Sequence, residues 1–194
     1  MSWLSRLKAA RGGQTLGAQA EEPLQAWQAL PEPVLDRSHF ETRYTVVNTE
    51  ATGLDLDQAR LLAVGGIAVD AGLLHPGDAY YARLEPAPLN ASFTRSMLER
   101  AFQNHVGFTP SFVWIDLYLL LPSLFPEKLD RPARLADWMA AFGIETFQRH
   151  HARGDAWAIA QLFLAVQARA LSFAVSTPAG LAAHQSAYRQ QLKI

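Results

Sequence analysis

Three short apolar runs, separated by turn residues, constrain this chain more than any other feature of it. Arg43 to Thr49 reads as a first strand, Leu61 to Asp70 as a second and Ala79 to Leu84 as a third. The connections between them are of meander length, whereas parallel neighbours need a crossover of about a dozen residues or more. After the third run the period changes. Thr94 to Val106 carries Met97, Leu98, Ala101 and Phe102 at helical spacing, with Gly107 as a stop. Phe112 to Ile115 is a candidate for a further strand. Leu135 to Phe142 and Ala156 to Leu171 read as helices, the second with Ala156, Ile159, Ala160, Phe163 and Leu164 on one face, and Pro178 to Leu192 as a terminal helix. An α/β fold class follows.

A chain of 194 residues with 49% hydrophobic content can bury one substantial core. The expected division is a mobile leader with short helices over 1–40, a folded domain over 41–172 and a helical extension over 173–194. Pro31-Glu32-Pro33 stops any helix formed by Leu24 to Leu30, because proline cannot continue one. The absence of cysteine excludes disulfides and thiolate metal sites and suits a cytoplasmic location. Met1 to Lys8 has scattered apolar residues rather than the run of a signal peptide, and no uninterrupted apolar stretch reaches about 18 residues, so no membrane partner is expected. A net charge of −1 is unlike the basic balance of proteins that grip a phosphate backbone non-specifically. Any nucleic-acid contact should therefore be local.

The end of the first strand is where chemistry is expected. Side chains two apart on a strand share a face, so Asn48 and Glu50 project together. Two carboxylates in such places can help hold a pair of divalent ions, the arrangement that phosphodiester hydrolysis uses to activate water and stabilise the leaving oxygen. Asn48 offers a neutral oxygen instead.

Asn48-Thr49-Glu50-Ala51-Thr52-Gly53-Leu54 resembles the first motif of the DnaQ-like 3′-5′ exonucleases, the DEDDh group of the ribonuclease H-like fold, whose usual form is Asp-x-Glu-Thr-Thr-Gly-Leu. His150-His151-Ala152-Arg153-Gly154-Asp155 resembles the family's His-x4-Asp motif, and Asn90-Ala91-Ser92-Phe93-Thr94 its middle motif, with Thr94 where the family has Asp. Arg134 to Ile144 resembles the helix and glycine turn before the last motif. The resemblance covers about residues 40 to 170. It implies a ribonuclease H-like mixed sheet flanked by helices, with Glu50, His150 and Asp155 as catalytic residues and His150 as general base. It further implies Glu50, Asp155 and Asn48 around Mg2+ or Mn2+, and Thr52, Gly53, Leu54 and Phe93 against a single-stranded nucleic-acid 3′ end or nucleotide.

Two departures set the expected outcome. Asn48 and Thr94 remove two anionic ligands, so one ion is held weakly or none is, and two-metal hydrolysis is lost or strongly impaired. A weakly active exonuclease and a protein-interaction module with a vestigial site are the alternatives. The family also places a helix between its third strand and its middle motif, where this chain has only Glu85 to Leu89. Four steps span at most about 14 Å, too little for the family's strand order 3-2-1-4-5, whose third and fourth strands lie about 14 Å apart sideways with a strand length to retrace. Either the third strand ends early, the fourth is lost, or another copy supplies it in a homodimer.

Each candidate has a plainer reading. Glu50 can be a surface carboxylate, Asp155 a helix-entry acid and Thr52-Gly53-Leu54 a turn. Phe93 can be wall rather than a stacking platform. Asp116, after Val113-Trp114-Ile115, reads as a helix cap before it reads as a ligand, and Trp114, Trp138 and Trp157 read as core.

Overall fold

The computed structural model describes residues 22, 25–26, 29–53, 60–83, 94–106, 112–129, 133–145 and 151–192. Its β-structure is a three-stranded antiparallel sheet in the order β1 (Tyr44–Ala51), β2 (Leu61–Asp70), β3 (Leu73–Arg83). The helices are α1 (Thr94–Val106), α2 (Leu117–Leu124), α3 (Leu135–Ala141), α4 (Ala152–Leu171) and α5 (Pro178–Leu192). The chain is thus a mixed α/β protein. No parallel strand pair occurs among the described residues, and the stretch in which a fourth strand is expected, Leu89 to Phe93, lies outside them.

The second strand falls where the apolar run places it. The third begins six residues before the expected Ala79, because Pro76 and Gly77 hide its first half. Between the pairs Ala68↔His75 and Gly66↔Tyr80 the register shifts, so the stretch containing Pro76 and Gly77 loops out opposite Ile67 and then resumes pairing. Proline is tolerated on an outer strand at such an irregularity. Asp70 and Leu73 pair around Ala71 and Gly72, whose φ values are 50° and 74°. Two positive φ angles are what the tight hairpin turn matched to strand twist requires, and glycine meets that demand more easily than alanine.

Phe112 to Ile115 is not a strand. The partner its backbone needs is a side chain instead of a sheet neighbour. Gln185 of α5, buried, donates from Nε2 to the Trp114 carbonyl at 2.8 Å and accepts from the Asp116 N–H at 2.8 Å. One amide thus satisfies two backbone groups that would otherwise be left unpaired. Asp116 then caps α2, accepting from the Tyr118 N–H at 2.9 Å, as its position before an apolar helix suggests.

One core joins sheet and helices. Ile67 and Val69 of β2 meet Leu120, Leu121 and Leu124 of α2, Leu162 and Val166 of α4, and Leu181 of α5, all almost fully buried. Trp138 belongs to this cluster, with Trp157 packed against it. Helices α3 and α4 end in the same way. After α3, Ile144 N–H bonds the Met139 carbonyl at 2.8 Å and Gly143 adopts φ 66°. After α4, Val175 N–H bonds the Ala170 carbonyl at 3.0 Å and Ala174 adopts φ 59°. These are left-handed helix stops that satisfy terminal carbonyls.

Candidate functional site

Register fixes which residues share a face. Partners in an antiparallel pair point the same way, so Asn48, Gly65 and Tyr81 form one rung and Glu50, Ala63 and Arg83 the next but one. Tyr44 lies on the same face of β1 and meets Phe163 of α4 edge to face, ring centroids 4.8 Å apart. This is the α4 side of the sheet. At the other end of α4 the helix backbone rests directly on β2. A Cβ added at Gly65 would overlap the Ala152 carbonyl group and the Arg153 nitrogen. Helix α4 therefore runs antiparallel to β1 and brings its first turn to the end of the sheet that carries Asn48 and Glu50.

That first turn presents His151 and Asp155. His151 is the residue before the helix, and its carbonyl accepts from the Asp155 N–H at 2.9 Å. Its ring stacks on Tyr81 of β3, centroids 4.6 Å apart and planes 18° from parallel. The Nδ1 atom of His151 is buried and makes no hydrogen bond among the described residues. Asp155 stands in the first turn, where the helix dipole favours an acid.

Of the residues expected from the sequence, the fold therefore brings Asn48, Glu50 and the start of the helix bearing Asp155 to one end of one face. Thr52 is tied to Arg60. Its N–H donates to the Arg60 carbonyl at 3.0 Å and its Oγ1 accepts from the Arg60 N–H at 2.9 Å, closing the β1–β2 connection. Gly53 is exposed with open space around its Cα. His150, Leu54 and Phe93 lie outside the described residues, and Thr94 begins α1. A register shift between Glu50 and Ala51 bends β1 at the site, a common device at strand ends that aim side chains.

The donor set can be tested against the ions it was expected to hold. No group of three or more His, Asp or Glu side chains among the described residues is placed to bind a metal. Two carboxylates and an amide supply too little negative charge for a pair of hard divalent ions. The described residues do not fit a two-ion centre.

Two features of the site escape the motif reading. Tyr81 pairs with His151, and Gly65 admits the helix. The second had a signal in the sequence, because Gly65-Gly66 in the middle of an otherwise apolar strand marks a close approach of another backbone. The chain matches no family model, and no curated protein matches it. No helix among the described residues is long and apolar enough to cross a membrane.

Proposed function

We propose that the chain is a DnaQ-like domain of the ribonuclease H-like type that binds a free nucleic-acid 3′ end with hydrolysis lost or strongly impaired. The observation that carries this reading is the shared face. Antiparallel β1 and β2 aim Asn48 and Glu50 toward the side on which the first turn of α4, with Asp155, is laid over Gly65. The order 1-2-3 of the sheet agrees with the first half of the expected arrangement. Asn48 supports impairment, because an amide cannot replace the charge of a carboxylate beside a divalent ion.

The chemistry available to this chain is correspondingly limited. Glu50 and Asp155 can accept hydrogen bonds or share one Mg2+ or Mn2+ ion, and Asn48 can donate as well as accept. A second reading, an interaction module with a vestigial site, is favoured by Thr52 and His151, whose polar or ring contacts close on Arg60 and Tyr81. A degradation assay on end-labelled single-stranded DNA and RNA, across a Mg2+ and Mn2+ titration, tests the proposal. Little or no release of nucleotides is expected. Robust metal-dependent cleavage that disappears in His150→Ala would establish an active exonuclease instead.

A further inference from the structure

His39 sits in a short 3-10 turn, His39–Glu41, just before β1, and is 2% exposed. Both ring nitrogens have a partner. Nε2 lies 3.3 Å from the Val175 carbonyl and Nδ1 lies 2.6 Å from the Tyr44 hydroxyl. A carbonyl only accepts, so Nε2 carries the hydrogen; Nδ1 is then the acceptor and Tyr44 donates to it. This pattern uses each atom once and belongs to the neutral ring alone. Burial pushes the Tyr44 hydroxyl well above its ordinary range, with Gln167 opposing, so the phenol stays a donor.

The contacts join distant parts of the chain. The His39 N–H donates to the Ser176 carbonyl at 2.8 Å, and the Ala179 N–H donates to the Leu35 carbonyl at 3.0 Å. Segment 35–41 is thereby fastened to the turn between α4 and α5, whose left-handed Ala174 turns the chain just before the Val175 carbonyl that His39 meets. We propose that His39 is a proton-sensitive latch, holding segment 35–41 on the α4–α5 turn while the ring is neutral and releasing it when the ring takes up a proton.

A proton on Nδ1 ends its acceptance from the Tyr44 O–H, so the hydroxyl must turn and accept instead, and it puts a charge where almost no water reaches. Among the described residues no ionised partner offsets that charge. From β1 the facing titratable group is Tyr44, and the α4–α5 turn presents backbone carbonyls. On the ring's own turn Glu41 accepts from Ser38 at the surface at 2.9 Å, and Arg43 beside β1 is paired outward with Asp70 and Asp78. Burial accordingly holds the His39 pKa below its ordinary 6.5, the Val175 carbonyl opposing in part. The sign follows: with the latched pKa below the released one, the released form binds more protons, so latching is complete above pH 6.5 and weakens as pH falls toward the latched pKa.

Site-resolved amide exchange on the full chain tests this. The protection factor of the Ala179 amide, corrected for intrinsic exchange, should fall below pH 6.5 at a rate approaching tenfold per pH unit. In His39→Gln, which cannot titrate, Ala179 should show no such fall. A flat profile in the wild type or the same fall in H39Q would each overturn the latch. Imidazole 15N spectra of the wild type give a check that needs no variant. A neutral ring protonated on Nε2 at pH 7 is expected, and a His39 that becomes cationic while Ala179 remains fully protected contradicts the proposal.

Discussion

Gly65→Ala is the substitution that weighs most directly whether α4 is seated on the sheet as described. The added Cβ would fall within the contact envelope of the Ala152 carbonyl and the Arg153 nitrogen, all backbone atoms that no rotamer change can move aside. Restoring a separation of about 3.5 Å requires the first turn of α4 to rise by about 1 Å. Overpacking of that kind costs about 1–3 kcal/mol, and loss of the Tyr81–His151 stack adds about 0.5–1.5 kcal/mol. A total near 3 kcal/mol corresponds to a midpoint lowered by about 6–12 °C in a protein of this size. The neighbouring glycine supplies the control. A Cβ at Gly66 would meet the Val46 carbonyl oxygen at 3.6 Å and Thr45 Cγ2 at 3.8 Å, ordinary contacts, so Gly66→Ala should change stability little or raise it by about 0.5 kcal/mol. Urea and thermal unfolding followed by circular dichroism on both variants decide the matter. Equal stability of Gly65→Ala and Gly66→Ala would refute the seating of α4.

Ala71→Gly and Ala174→Gly should each stabilise the fold by about 1 kcal/mol, because both alanines hold left-handed backbone angles, and unchanged or lowered denaturation midpoints would count against those turns. Gln185→Leu strands the Asp116 N–H and the Trp114 carbonyl, costing about 2–4 kcal/mol in urea unfolding, and a loss under about 0.5 kcal/mol would mean the amide bridge is absent. Asn48→Asp combined with Thr94→Asp should strengthen Mn2+ binding in calorimetry at least tenfold by restoring two anionic ligands, and an unchanged titration would separate these positions from any metal site.

How far the sequence could be read depended on whether the signal was local. The second strand, α1 and α5 follow from apolar periodicity and their flanking turns, and the structure keeps their bounds. The third strand was half hidden, since Pro76 and Gly77 are turn residues by composition and become tolerable only because the ladder loops them out on an outer strand. Phe112 to Ile115 has strand composition, but its Trp114 carbonyl and the N–H of the following Asp116 go to Gln185, about 70 positions further along the chain, which no local pattern can announce. At the site, alternation along β1 correctly put Asn48 and Glu50 on one face. The motif points Thr52 at a nucleotide and gives no sign of the hydrogen bond by which its hydroxyl closes a turn with Arg60. The stack of His151 on Tyr81 depends on cross-sheet register and could only be seen once the strands were paired.

Fluorescence anisotropy with labelled single strands, run in low salt and again with added salt, tests the proposed function most directly. A salt-sensitive preference for a free 3′ end over a 3′-blocked one is expected, weakened by Leu54→Ala and by Phe93→Ala. Absence of binding even in low salt, or binding indifferent to the 3′ end and to both substitutions, would contradict it.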